Sequence, residues 1–317
     1  MPLANVASPA LPAVLHRGEA VELAAALTAS LCRERGLRCL FVKGPAAVAA
    51  GARPQRASAD IDVLVHPEDM DRLLEALAER GWFTRPFEDG MGLPKHSVTA
   101  YHPHWPCDID VHFRFPGLDA DPAAAFAALE RGSGTHRFAG VEAPVPPRGG
   151  LVLIQAVHAL RNLHTDSHHM TNARADYDFL LGRGESAPVL PAWEELTPLL
   201  DGTGAWAAME PFLRDAYPEQ AAGVSFPAAS EDWIRRTFSS YGSTHKLVLL
   251  ARAPWREKPR ILWRSLVPSR EALAVVDLSL LGADRRTLAR HRRQRLLRFL
   301  GRLPLAVRQA RRQVLGR

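Results

Sequence analysis

Cysteine is scarce in this 317-residue chain, long apolar runs are missing, and the segment 285–317 contains no acid. Cys32, Cys39 and Cys107 are odd in number and lack the pair-plus-pair spacing of a structural zinc site, so neither such a site nor a disulfide framework is expected. A reducing compartment follows. The longest apolar stretches, 151–160 and 272–281, are too short or too interrupted to cross a bilayer, and Asp277 breaks the second. The first residues carry no basic segment leading into an apolar one, so no secretory signal is read there. A cytoplasmic protein is expected.

The missing acids redistribute the charge. The formal net charge is +6, but twelve arginines lie between Arg285 and Arg317, and the 34 acids outnumber the 28 cations before them. Residues 1–284 are therefore mildly acidic, at −6. The basic excess belongs to one tail, where Leu288, Leu296, Leu297, Phe299, Leu300 and Leu303 sit among arginines in an amphipathic pattern broken near Gly301 and Pro304. Such a segment can lie on an anionic membrane surface, making the protein peripheral there. Binding an acidic partner and docking on the acidic body are the other two readings. Direct nucleic-acid binding through the tail is disfavoured; it would show affinity falling steeply with salt.

Up to residue 115 the pattern alternates between helices and strands. A helix is expected over 21–35, closed by Gly36, and a buried strand over 37–42, broken by Lys43-Gly44-Pro45. A short helix over 46–50 follows. Next come a strand over 60–65, a helix opened by Pro67 and stopped by Gly81, and extended stretches over 97–102 and 107–115. Residues 116–150 read as a connector with one Ala-rich helix. Helices dominate beyond, over 151–163, 175–181, 193–200, 206–217 and 231–238, with a loop over 163–172. The expected class is α+β. A small mixed-sheet domain (1–147) precedes a helical domain (148–284) and the Arg-rich tail (285–317).

The chemistry concentrates in Asp60, Asp62 and Asp110. Side chains alternate along a strand, so Asp60 and Asp62 share one face while Ile61, Val63 and Val65 fill the other. Asp108, Asp110 and His112 likewise share a face. Crowded carboxylates repel and are normally held by cations. If the two strands are neighbours, Asp60, Asp62 and Asp110 converge on one or two Mg²⁺ ions. A metal pair about 3.5–4 Å apart clamps the attacking and leaving oxygens of a phosphoryl displacement. Asp108 reads as a solvated residue at a strand start. His112 is read as orienting Asp110, touching a phosphate or making a structural hydrogen bond.

Phe41-Val-Lys-Gly-Pro-Ala-Ala-Val48, Arg56-Ala-Ser-Ala-Asp-Ile-Asp-Val-Leu-Val65 and Asp108-Ile-Asp-Val-His112 resemble the uncharacterised nucleotidyltransferase family of bacteria, within the polymerase-β-like nucleotidyltransferase superfamily. The resemblance extends more weakly to His158 and to Asp176-Tyr-Asp-Phe-Leu180. It implies Asp60 and Asp62 as metal ligands, with Asp110 as the third carboxylate, binding the catalytic metal and helping to deprotonate an acceptor hydroxyl. It also implies Gly44 and the following helix start as a phosphate cradle, with Lys43 and Arg56 neutralising a triphosphate. Mg²⁺ as cofactor, an NTP as substrate and a small-molecule, peptide or protein acceptor follow. The wider superfamily's Gly-Ser pair is here Gly44-Pro45, which removes a hydroxyl and an N–H.

Other readings compete. A non-catalytic module binding a nucleotide or a protein fits the altered Gly44-Pro45 pair. The histidines at 102, 104, 112, 158, 164, 168 and 169 raise a zinc hydrolase, although no His-Glu-Xaa-Xaa-His segment is present. His158, on an apolar helix, is expected as a satisfied core histidine. Gly182-Arg183-Gly184 reads as a helix stop.

Overall fold

A computed structural model describes residues 15–86, 94–163, 168–183, 190–238, 242–274 and 277–315. The leader before Leu15, His164 and Gly184 lie outside them. The first half runs α1 (Arg17–Arg35), β1 (Cys39–Phe41), α2 (Gly44–Ala49), β2 (Asp60–Val65), a 3₁₀ turn at Pro67–Asp69, α3 (Met70–Ala78), β3 (Phe83–Thr84), β4 (Ser97–Tyr101) and β5 (Asp108–His112). After α4 (Pro122–Glu130) comes a hairpin of β6 (Gly134–Phe138) and β7 (Val141–Val145). The rest is helical: α5 (Arg148–Asn162), α6 (His168–Leu180), α7 (Trp193–Thr203), α8 (Trp206–Ala216), α9 (Pro218–Ala222), α10 (Glu231–Phe238), α11 (Gly242–Arg252), α12 (Lys258–Leu266), α13 (Arg270–Ala274) and α14 (Arg285–Leu315). The class is α+β, a mixed sheet followed by helices.

Five strands form one sheet in the order β1-β2-β5-β4-β3. β2 and β5 are parallel neighbours at its centre, and the other pairs are antiparallel. Alternation along β2 gives the sheet two different faces. Ile61, Val63 and Val65 join Phe41, Ile109 and Val111 in a core beneath α1 and α3. Leu64, with Leu40 and Val42, faces the other way into a core built with Leu153, Ile154 and Val157 of α5. Burying each such side chain stabilises the fold by roughly 1.5–3 kcal/mol. Asp60 and Asp62 have the parity of Leu64, so the helical half covers the carboxylate face. The boundary expected near Pro147 falls between β7 and α5, and this second core runs across it.

Three segments differ from the sequence reading. The connector contains the β6–β7 hairpin as well as α4. Its turn is Ala139-Gly140, both at positive φ (42° and 85°), with alanine where asparagine or aspartate usually marks such a turn. The loop expected over 163–172 gives way to helix from His168. In the tail, α14 continues through Gly301 and Pro304. A proline inside a helix costs about 3 kcal/mol. The helix is supported by packing along α11, with Ala306 and Ala310 buried, and by Leu288 in a cluster with Leu273 and Leu280. Among the described residues no helix is long and apolar enough to cross a membrane.

Candidate active site

The parallel register of β2 and β5 sets Asp60 opposite Asp108 and Asp62 opposite Asp110. Adjacent strands lie about 4.8 Å apart, so carboxylates of equal parity are forced together. Asp62 is buried, and two groups converge on its Oδ1: Lys43 Nζ at 2.6 Å and His112 Nε2 at 2.9 Å. Burial alone would raise the Asp62 carboxyl. The charge of Lys43 and the His112 hydrogen bond overcome it and hold Asp62 well below the usual range. His112 therefore bonds Asp62, whereas Asp110 Oδ1 accepts a 2.5 Å hydrogen bond from the Thr99 hydroxyl on β4.

Asp60 sits at the mouth of this cluster. Burial, followed by the neighbouring Asp62 charge, pushes its carboxyl up to about 6, with Lys43 opposing. Ligand atoms of Asp62, Asp110 and His112 lie within 4.8 Å of one another, which makes these three a group able to hold a metal ion. Two carboxylates suit a hard divalent ion, and each has a second oxygen beyond the one bonded to Lys43 and His112 or to Thr99. His102 packs against Trp82, Trp105 and His104, and neither histidine joins the group. Asp108 pairs with Arg85 at 2.7 Å and is half-buried rather than solvated.

The cations expected from the sequence take distinct positions. Lys43 lies on Asp62 and over the Phe115 ring, 5.6 Å from its centroid. Gly44 opens α2 at φ +59°, a conformation that favours glycine. Arg56 is taken up by a different carboxylate. Both of its terminal nitrogens engage Asp176 of α6, which is fully buried and also accepts 2.7 Å from Gln155 Nε2.

The helical half contributes His158, expected from the sequence as a satisfied core histidine, and Arg161, which the sequence reading passed over. His158 and Arg161 stand one turn apart on α5 and so share a face. His158 is not satisfied, because its buried Nδ1 has no partner. Burial, then the charges of Lys43 and Arg161, holds its imidazole well below the ordinary value. Burial and Arg236 lower Arg161 to about 10, against the opposing pull of Asp62 and Asp110. Beside them His96 is pushed down to about 2 by burial and then by Arg161, while Arg236 and Arg114 share Asp232 at 2.9 and 3.0 Å. The available signal was a histidine and an arginine three apart in a mostly apolar helix. The site is thus a carboxylate group on the sheet faced by basic side chains on α5 and α10.

A family model described as uncharacterised nucleotidyltransferase matches residues 10–199. No curated protein matches the chain in sequence. Among solved structures, an antigenic nucleotidyltransferase-like protein from Paracoccidioides brasiliensis is 11% identical at a TM-score of 0.38, covering 63% of this chain and 93% of that one. A tRNA nucleotidyltransferase complexed with a primer tRNA and an incoming ATP analogue is 16% identical at 0.25, covering 89% and 93%. The CCA-adding enzyme of Bacillus stearothermophilus in complex with CTP is 13% identical at 0.27, covering 88% and 83%.

Proposed function

The chain belongs to the uncharacterised nucleotidyltransferase family, and on that premise we propose that it moves a nucleoside monophosphate from an NTP to an acceptor hydroxyl or phosphate. The observation that carries this reading is the β2–β5 register, which gathers Asp60, Asp62 and Asp110 on the face covered by Arg161 and His158. Asp62 and Asp110 would hold the metal, with Asp60 at its edge. When bound, Mg²⁺ would neutralise phosphate charge and favour the ionised acceptor oxygen. The acceptor oxygen attacks the α-phosphorus, the bond to the β-phosphate oxygen breaks, pyrophosphate leaves, and Asp110 receives the acceptor proton. Lys43, now on Asp62, would neutralise charge developing on the phosphates. Arg56, fixed on Asp176, holds the turn before β2 against the helical half. Such chemistry depends mainly on positioning and on preorganised charge.

Calorimetry of NTP binding with and without Mg²⁺, followed by pyrophosphate release over an acceptor panel, tests the reading. Mg²⁺-dependent binding lost in Asp62→Asn supports it, and absence of binding in the wild type removes it. Binding without release over the whole panel favours a nucleotide-binding module, the reading that Pro45 supports.

We also propose that the C-terminal region makes the protein peripheral at an anionic membrane. The supporting observation lies on and beside α12, which has no buried residue. Trp255 is 80% exposed and Trp263 66%, with Leu262 and Leu266 also exposed among Arg256, Lys258, Arg260 and Arg264. Exposed indoles interleaved with cations complement an interface of anionic headgroups. Sedimentation with vesicles of neutral or part-anionic lipid tests it. Binding to the anionic vesicles that weakens in Trp255→Ala/Trp263→Ala supports the proposal, and indifference to lipid charge overturns it.

A further inference from the structure

The loss of the hydroxyl after Gly44 leaves a gap in the phosphate grip, and the structure holds another hydroxyl beside it. Ser58, two residues before Asp60, is buried at 9% exposure. Its Oγ lies 3.2 Å from the point where a Cβ on Gly44 would stand. The Ser58 oxygen accepts from Arg53 Nη1 at 3.1 Å. That bond leaves the Ser58 proton to donate, and no acceptor takes it among the described residues. Arg53 Nε, too, is buried and without a partner. Burial lowers the Arg53 guanidinium, followed by the charge of Arg56, with Asp176 and then Asp62 and Asp60 opposing. A buried hydroxyl with an unused proton and a buried guanidinium nitrogen with an unused hydrogen are both donors lacking an acceptor, a costly arrangement unless something completes it.

We propose that Ser58, held by Arg53 against the bare backbone of Gly44, donates to a phosphoryl oxygen of the nucleoside triphosphate. The inference rests on the nucleotidyl-transfer reading and names the group that does the work of the missing hydroxyl. An anion is the matching ligand for these two donors, because the Ser58 hydroxyl and Arg53 Nε both lack an acceptor and Arg53 is cationic. Gly44 suits it twice. Its positive φ turns the chain at the strand end, and the missing Cβ leaves the Ser58 oxygen reachable. The hydroxyl comes from the turn before β2 rather than from the start of α2, so Pro45 no longer argues against a phosphate grip.

The test is calorimetric, on the full chain, with three probes: MgATP, magnesium pyrophosphate and Mn²⁺ alone. Ser58→Ala is expected to weaken MgATP binding about tenfold or more, the usual cost of one hydrogen bond to a charged group, while Mn²⁺ affinity stays at the wild-type value. Gly44→Ala, which crowds the same hydroxyl, gives the same pattern in a protein that keeps Ser58. Equal weakening of pyrophosphate places the bond on the departing phosphates, whereas weakening of MgATP alone places it on the α-phosphate; both support the proposal. Wild-type MgATP affinity in Ser58→Ala overturns it and leaves the transferase reading standing. Loss of Mn²⁺ affinity together with MgATP affinity also overturns it, since that marks damage to the carboxylate group. If the wild type itself binds neither MgATP nor pyrophosphate, the transferase reading falls and takes this inference with it.

Discussion

Arg56 grips Asp176 across 120 residues of sequence, its Nη2 lying 2.6 Å from Oδ2 of a carboxylate with no solvent exposure. The pair ties the turn before β2, which delivers Asp60 and Asp62, to helix α6. A buried acid stripped of its cation is costly, so Arg56→Ala is expected to lose roughly 3–5 kcal/mol in denaturant unfolding. Asp176→Asn in the same background removes the stranded charge and is expected to recover part of the loss. A cost under about 1 kcal/mol, the range of exposed pairs, would show that the two groups do not meet in solution.

Lys43 is the resident cation of Asp62, at 2.6 Å with both side chains largely buried. Lys43→Met should lower the melting temperature in chelator, because only His112 then remains on that carboxylate. Added Mg²⁺ should recover more stability in the variant than it adds to the wild type, since the ion no longer competes with an ammonium group. Equal Mg²⁺ shifts in the two proteins would contradict the placement of the metal at Asp62.

Asp60 gives a pH signature. Its carboxyl is raised to about 6 from an ordinary 3.8, so the folded state holds the proton more tightly than the unfolded chain. The ionised group is therefore a burden, fully felt above pH 6 and shed as pH falls through 6 toward 3.8. Asp60→Asn is expected to stabilise the metal-free protein at pH 7.5 by roughly 1–3 kcal/mol. The gain should shrink to about a third by pH 4.5 and vanish only below pH 3.8. Denaturant melts at the two pH values check it, and a gain unchanged by pH would refute the assignment.

Much of this architecture is legible in the sequence where side-chain parity decides it. The strand over 60–65 is bounded as its composition suggests, and the division of Asp60 and Asp62 from Ile61, Val63 and Val65 becomes the division between the sheet's two faces. What parity cannot supply is register. Only the pairing of Leu64 with His112 along β5, together with the side-chain reach, puts His112 on Asp62 rather than Asp110. Arg56 reads as a phosphate cation because the partner that occupies it lies 120 residues away. The hairpin is hidden by Ala139, which adopts a positive φ that alanine seldom takes. Arg161 is hidden by its helix, and His158, noticed there, reads as a core residue until the carboxylates opposite are known.

The central claim is that Asp62 and Asp110 hold a divalent ion on which an NTP is positioned. A crystal soaked with Mn²⁺ and a non-hydrolysable NTP analogue, measured for anomalous scattering, tests it most directly. The account predicts a peak about 2.1 Å from one oxygen of each carboxylate, with Lys43 moved from Asp62 to the phosphates. A bound analogue whose metal lies elsewhere, with Lys43 still on Asp62, would contradict it.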